Sequence, residues 1–550
     1  MTRVVLAALN ARYTHSNPAL FYLREAITDI PADLVLRQWT IRDDPHDLLL
    51  RLYREHPDAI GLSVYIWNAA IVRRLIPDLK KLLPEVVLFA GGPEITAHSN
   101  AYLADFPELD YLLPGPGEAP FRAFAQAGFT WPERVVHAEP IPFKDVRFPY
   151  RSSDFQLPES GENHGLHGRY VYYEASRGCP FSCTYCLSGN TRVERRPLST
   201  VLTELQLFID HLVPLVKFVD RTFNADGDFA RSIWTHLASL NTITRFHFEI
   251  HPALLTDTDF ALLKSVPAGR FQFEIGIQAV QPEILRRIGR HESWNRVQEN
   301  IRRLLAFGNI HTHIDMLIGL PGQNSGHVEE TFDVLSKLGA EELQLGFLKC
   351  LPGTPIEHEP GLYASSLAPY PVLRTDWLNP NELDDWHRLA DLHDHLANSG
   401  LFRSTLSRVL PHWPSPTAFW GQLTRYWTES GWTTENRTWP VMAERFRSFL
   451  LTRVPALEGD FDDTLRFDWC VISSRHAYPP FLDYSGSKAL KNRGIALLQN
   501  ELPPEILTRT IFFEARSDAF PNYQGGIVAF LPDGERRILF PETRKLDTTT

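Results

Sequence analysis

A chain of 550 residues is too long for one ordinary core and has room for roughly two to four domains. With 43% hydrophobic and 22% charged residues it has a globular composition, which sets aside disordered and fibrous classes. The net charge of −11 gives no general attraction to phosphate backbones, so nucleic acid is not an expected partner unless a local basic groove exists.

The first apolar run, residues 4–9, is only strand length and meets Asn10-Ala11-Arg12, so no secretory signal is expected. No stretch approaches the roughly 20 apolar residues of a spanning helix, and no membrane partner is expected. The five cysteines, Cys179, Cys183, Cys186, Cys350 and Cys470, are odd in number and three are clustered. That is a poor disulfide framework and points to a reducing cytoplasm.

In chain order, residues 1–140 alternate between strand and helix patterns. Strands are predicted over 4–9, 34–41, 59–64, 86–90 and 111–113, with helices over 18–30, 45–56 and 69–83 between them. Five strands joined by crossovers predict an α/β doubly wound parallel sheet. Ser63 ends the third strand, Gly91-Gly92-Pro93-Glu94 follows the fourth, and Gly115-Pro116-Gly117-Glu118 the fifth. Ligands bind beyond such carboxyl ends, where glycine lets backbone approach closely; the same glycines also suit simple tight turns. Residues 141–169, rich in proline and glycine, read as a linker.

Over 170–370 the alternation resumes, with strands predicted at 170–175, 215–220, 245–250, 271–277, 312–318 and 343–348. Six strand–helix units predict a partial (β/α)6 barrel whose working face is the carboxyl ends of its strands. A mostly helical C-terminal domain, mixed after about 455, is predicted over 380–550, and eight of the 13 tryptophans fall from Trp377 onward; its tail at 544–550 reads as frayed. Bulky aromatics there suit a core better than a substrate wall.

The chemistry concentrates in Ser176-Arg177-Gly178-Cys179-Pro180-Phe181-Ser182-Cys183-Thr184-Tyr185-Cys186. Three thiolates in a C-x3-C-x2-C run after a strand can converge on one inorganic core. Full ligation of a 4Fe-4S cluster takes four cysteines, so three leave one iron open for a small molecule. Structural zinc, completed by His164 and His167, is the alternative.

This motif resembles the signature of the radical S-adenosylmethionine superfamily. The resemblance implies that Cys179, Cys183 and Cys186 hold a 4Fe-4S cluster whose open iron chelates S-adenosylmethionine. It also places Tyr185 near the adenine. Further likenesses are Phe218-Val219-Asp220-Arg221-Thr222-Phe223-Asn224, Glu274-Ile275-Gly276-Ile277-Gln278, Asp315-Met316-Leu317-Ile318-Gly319-Leu320-Pro321-Gly322 and Leu351-Pro352-Gly353-Thr354-Pro355. Asp220, Asn224, Glu249, Glu274, Gln278, Asp315 and Lys349 are the polar groups at these strand ends. Some are expected to hold the cofactor, and each also suits a structural hydrogen bond.

The first domain resembles the cobalamin-binding domain of a large branch of this superfamily, by its layout and by Ser63, Gly91, Gly92, Pro93, Glu94, Gly115 and Gly117. The Asp-x-His-x-x-Gly motif of other cobalamin proteins is absent; His15 stands in that loop, and cobalamin without a histidine ligand is expected. The last domain resembles uncharacterised extensions of such proteins. The implied activity is formation of a 5′-deoxyadenosyl radical, with cobalamin-dependent methylation of an unactivated carbon. The expected partners are a small-molecule or metabolite substrate and a one-electron reductant such as flavodoxin or ferredoxin. A cobalamin-associated cyclase or rearrangement enzyme, or a non-catalytic cobalamin or redox sensor, stays open. A methylthiotransferase normally has a second cluster on first-domain cysteines, and residues 1–178 have none. Cys350, at the end of the sixth strand, is a candidate hydrogen-atom donor or acceptor, or else an inert buried thiol; Cys470 suits packing. The Arg192, Arg195, Arg196 patch reads as solvated surface.

Overall fold

The computed structural model describes residues 1–158, 161–432, 438–473, 477–520 and 526–539; the tail at 544–550 lies outside them. Contacts divide the chain into two units, one of residues 1–331, 338–340 and 345–380, the other of 332–337, 341–344 and 381–550.

The first unit opens with β1 (Thr2–Asn10), α1 (Pro18–Ala26), β2 (Ala32–Thr40), α2 (Pro45–Arg54), β3 (Ala59–Ser63), α3 (Ala69–Leu82), β4 (Val87–Gly91), α4 (Pro93–Asp105), β5 (Tyr111–Leu113) and α5 (Glu118–Gln126). The strands pair in parallel in the order β2-β1-β3-β4-β5. Val4 to Leu9 are all buried, as a strand covered on both faces requires. One face packs Leu48, Val72, Leu75, Ile76 and Ile95 of α2, α3 and α4; the other packs Leu20, Phe121 and Phe124 of α1 and α5. The chain changes direction across the sheet between β1 and β3, so a crevice opens beyond the carboxyl ends there. Ala8, Ser63, Gly91 and Leu113 stand in register across it. The helix starts are fixed locally: Asn17 caps α1 ahead of Pro18, and Asp44 caps α2 through the His46 and Asp47 amides.

A second sheet has the order β13-β12-β11-β10-β9-β6. It follows β6 (Val171–Tyr173), a hairpin of β7 (Ser176–Cys179) and β8 (Thr191–Arg195), α6 (Leu198–Asp210), β9 (Leu215–Phe218), α7 (Gly227–Ser239), β10 (Arg245–Glu249), α8 (Asp257–Lys264), β11 (Phe271–Gln278), α9 (Pro282–Arg287), α10 (Trp294–Leu305), β12 (His311–Ile318), α11 (Ser325–Ser336) and β13 (Glu342–Phe347). β6 and β9 to β12 pair in parallel, so the sheet is the open, partial (β/α)6 arrangement that the alternation predicts. Strand alternation sends Phe218, Phe248 and Phe273 to the helix-packed face, where Trp234 joins them. The register sets Lys217 beside His247, Glu249 beside Glu274, and Glu274 beside His313 on the other face.

The predicted strand at 170–175 ends early, because β7 turns out of the sheet to pair antiparallel with β8. Gly178, at φ +97°, makes that pairing possible, since a Cβ there would lie 2.2 Å from the Arg192 carbonyl. The loop after β1 covers the free edge of β6: the Tyr170 amide donates to Thr14 O at 2.7 Å, and Ser16 Oγ to Tyr170 O at 2.8 Å. A short antiparallel pair, β14 (Leu362–Ala364) and β15 (Val372–Thr375), follows the core.

The second unit contains α12 (Pro380–His393), α13 (Arg403–Val409), α14 (Pro416–Glu429), α15 (Trp439–Arg453), α16 (Glu458–Ile472), α17 (Ser487–Leu498) and α18 (Pro504–Arg509). It closes with an antiparallel sheet of β16 (Ile511–Glu514), β17 (Ile527–Phe530) and β18 (Arg536–Leu539). Trp386, Trp420, Trp427, Trp439 and Trp469 are buried, so its tryptophans build core. Cys470 is buried among Phe467, Ile511 and Phe513. Among the described residues no helix is long and apolar enough to cross a membrane.

Candidate active site

The three clustered cysteines lie on one loop between β7 and β8, and four attachments shape it. The Cys179 amide donates to Thr191 Oγ1 at 3.0 Å, and the Thr184 amide to Ile288 O at 3.0 Å. The Ile356 amide donates to Thr184 O at 3.0 Å, while Phe181 stacks on His251 with centroids 4.8 Å apart. Gly289, at φ +77°, lets the turn after α9 press against the loop; a Cβ there would lie 2.3 Å from Ser182 O. That approach delivers the next residue, Arg290, to Cys183 and Tyr185.

Cys179, Cys183 and Cys186 line a cavity of about 690 Å³ with Tyr185 and Arg290, and Glu249 of β10, Glu274 and Gln278 of β11 and Asp315 of β12 line it too. Gln278 ends β11 at φ +73°, and its side chain occupies the space above Gly276, where a Cβ would lie 2.5 Å from Gln278 Nε2. Among the described residues Gln278 Oε1 is buried with no hydrogen-bond partner, an acceptor available to a ligand.

The electrostatics of this cavity carry both signs. Burial pushes Glu249 up to about 8; Arg221 pulls against it, and Glu274 and Asp315 reinforce it. Burial also works against ionising Glu274, yet the His247 hydrogen bond and the charges of His247, His313 and Lys217 hold its carboxyl well below the usual range. Burial raises Asp315, which lies 3.0 Å from His313. Opposite these carboxyls stands Arg290, whose Nε donates to Glu292 at 2.6 Å. Burial lifts the Cys183 thiol, with Arg290 opposing. Three thiols, the guanidinium groups of Arg221, Arg290 and Arg296, and several carboxyls fit a cluster with an open iron beside a ligand bearing both an ammonium and a carboxylate. Among the described residues no three His, Cys, Asp or Glu side chains converge on a single ion, and a four-iron core takes its thiolates at separate corners. His164 is engaged elsewhere, with Nδ1 3.1 Å from the Gln38 amide and its ring edge on Trp39; the His167 carbonyl accepts from Asn163.

A second cavity, of about 640 Å³, lies beyond the carboxyl ends of the first sheet. Ser63, Gly91, Gly92, Pro93, Gly115 and Gly117 line it, with Leu6, Leu20, Gly61, Phe89 and Leu113 below. Such a broad, mostly apolar crevice, with backbone rather than bulky side chains at its rim, fits a large flat ring. Among the described residues its lining contains no His, Cys or Met. His15 is held 2.9 Å from the Tyr172 hydroxyl, in the loop that covers β6. Arg177, Leu187 and Ser188 of the cysteine hairpin line this second cavity too, so the cysteine segment borders both.

Five predicted positions stand apart from the cavity walls, among them Lys349, which bridges to Pro371. Asp220 is 1% exposed and accepts from Ser176 Oγ at 2.5 Å and the Ala175 amide at 3.1 Å, tying the start of β7 to the end of β9. Asn224 exchanges two hydrogen bonds with the His251 backbone. Glu94 is buried and accepts from the Tyr370 hydroxyl at 2.5 Å. Cys350 is buried, its amide donating to Tyr370 O, and lines neither cavity. Arg290 and the Glu118–Arg177–Glu174 group were not singled out from sequence. The glycine before Arg290, at the end of a helix, was the one local signal.

Comparison with known proteins agrees with this geometry. Residues 173–335 match the radical SAM superfamily, residues 4–125 the B12 binding domain, and residues 358–516 a protein of unknown function, DUF4080. The cofactors that go with these domains are a 4Fe-4S cluster, S-adenosylmethionine and cobalamin. A tRNA-2-methylthio-N(6)-dimethylallyladenosine synthase of Hahella chejuensis is 25% identical over 50% of this chain and 62% of its own length. A 2-(S-pantetheinyl)-carbapenam-3-carboxylate methyltransferase of Streptantibioticus cattleyicolor is 25% identical over 54% of this chain and 48% of its own. The chain thus spans about half to three-fifths of these relatives. The solved structure of the cobalamin-dependent S-adenosylmethionine radical enzyme OxsB, with aqua-cobalamin and S-adenosylmethionine bound, shares the fold. Its TM-score is 0.58 at 14% identity, over 85% of this chain and 83% of that one.

Proposed function

The chain joins a B12-binding domain to a radical SAM domain, and from that premise we propose that it cleaves S-adenosylmethionine reductively and methylates an unactivated carbon of a small-molecule substrate. When bound, the cluster and S-adenosylmethionine supply a 5′-deoxyadenosyl radical, and cobalamin supplies the methyl group.

Each part of the first unit has a task in this reading. Cys179, Cys183 and Cys186 would hold the cluster and leave it open to the cofactor. Arg290 would receive the cofactor carboxylate, and Glu249, Glu274 and Gln278 would accept from its ammonium and ribose hydroxyls. Tyr185 would offer an aromatic face. Ser63, Gly91, Gly92, Gly115 and Gly117 would cradle the corrin. The electron comes from a one-electron carrier of the flavodoxin or ferredoxin class.

The observation that carries the reading is that the cysteine hairpin borders both cavities. Methylthio transfer is disfavoured by the absence of cysteine from residues 1–178, which leaves no ligands there for a second cluster. The test is anaerobic purification with iron, sulfide and corrinoid quantified, then incubation with S-adenosylmethionine and a strong reductant. Bound corrinoid and 5′-deoxyadenosine above background are expected. Deoxyadenosine without any corrinoid binding leaves radical chemistry and removes methyl transfer.

A further inference from the structure

Among the described residues three charged side chains line the second cavity, Glu118, Glu174 and Arg177, and they form one group. Arg177 Nη2 donates to Glu118 Oε1 at 2.6 Å and to Glu174 Oε2 at 2.7 Å, and Nε donates to the same Glu174 oxygen at 3.1 Å. The guanidinium also lies over the rings of Phe143, 4.5 Å away, and Tyr22, 5.2 Å away. Arg177 is therefore spoken for, while Glu118 Oε2 and Glu174 Oε1 have no donor among the described residues. Two carboxylates against one guanidinium leave this edge with one net negative charge.

The positive helix ends that could offset that charge are already taken. Glu118 is the first residue of α5, and Glu94, in the first turn of α4, is buried under the Tyr370 hydroxyl. The cavity is thus apolar with a single acceptor-rich, anion-repelling edge.

We propose that Glu118 and Glu174, fixed by Arg177, select the ligand of this cavity by accepting N–H groups from the peripheral amides of a corrin and repelling corrins whose side chains are free carboxylates. The inference rests on the cobalamin reading of the cavity. Its physical basis is the sign of the interaction. An amide NH2 against a carboxylate makes a charge-assisted hydrogen bond, whereas a ligand carboxylate there meets a like charge with little water to screen it. Arg177, which holds both carboxylates, lies on β7, so the ring edge is read two residues from the first thiolate, Cys179.

The experiment is equilibrium dialysis of full-length, cluster-reconstituted protein against two probes, reading free corrinoid. Dicyanocobinamide carries amide side chains, and cobyrinic acid carries the same ring with free carboxylates. The wild-type protein is expected to bind dicyanocobinamide about tenfold or more tightly over cobyrinic acid. Glu118→Gln, which keeps size and an acceptor, narrows that ratio roughly threefold or more with iron content and unfolding midpoint unchanged. Glu174→Gln is the second variant should the first fold poorly, and it narrows the ratio in the same direction. Equal binding of both probes by the wild-type protein, or an unchanged ratio in both variants, overturns the proposal and leaves the cobalamin reading standing. Binding of neither probe overturns both.

Discussion

The two cavities of the first unit sit at the same topological place, beyond the carboxyl ends of parallel strands, and are built of opposite materials. The one on the first sheet is floored by Leu6, Leu20 and Phe89, rimmed by Gly91, Gly92, Gly115 and Gly117, and charged only at the Arg177 edge. The one on the second sheet is walled by thiols, by Glu249, Glu274 and Asp315, and by Arg290. The first can hold a large ligand by shape and apolar contact; the second can hold a small zwitterion and a metal cluster by charge. One architecture yields either, depending on whether the strand ends carry glycine or ionisable side chains.

That contrast can be broken one cavity at a time. The largest effect is expected from Cys183→Ala, which should abolish the cluster absorbance and deoxyadenosine formation together and leave corrinoid binding in the other cavity intact. Next, Arg290→Ala should weaken S-adenosylmethionine binding on the order of ten- to a hundredfold, the worth of a lost charge-assisted hydrogen bond, at unchanged iron content. Full affinity in that variant would remove Arg290 from the cofactor site.

Gly92→Ala addresses the first sheet. Gly92 has φ +111° and a Cβ there would lie 2.5 Å from Val64 O, so the variant should lose about 1–3 kcal/mol of stability by denaturant titration. It should also lose corrinoid while keeping its cluster. A smaller effect concerns Glu249, which burial pushes up to about 8. A cationic ligand favours its ionised form, so S-adenosylmethionine binding near pH 7 should release up to about one proton. Calorimetry in buffers of different ionisation enthalpy reads this, and Glu249→Gln should cancel it.

The smallest effect belongs to Asp220, whose burial pushes it up to about 7, with Ser176 and Ala175 donating against that trend. The folded protein then keeps a proton that the unfolded chain has lost, so stability falls as pH rises from about 4 to about 7. Asp220→Asn should remove that part of the slope, and an unchanged slope would show that Asp220 ionises normally.

What was legible in the sequence was mostly local. The C-x3-C-x2-C run marked three thiols that line one cavity, because residues so close on one loop stay together. Five short apolar runs separated by helical periodicity marked the first sheet. Gly-x-Gln at the end of β11 was visible as a motif, though its cause, Gln278 folding back over Gly276, was not. Asp220 and Asn224 looked like ligand-holding groups because they follow a strand, yet their hydrogen bonds go to the Ala175, Ser176 and His251 segments. Burial decides that difference, and it is not written in the residue type.

The sequence by itself determined the donor set, the strand-and-helix rhythm and the glycine-rich ends, since each depends on residues within a few positions of one another. Only the tertiary structure decided that Arg290 stands beside Cys183, that Glu118 meets Arg177 across 59 positions, and that the loop carrying His15 is spent covering β6. Those are pairings between separate elements, set by how two sheets close upon one hairpin. A single charged residue on a helix end or strand has no periodicity to announce its partner.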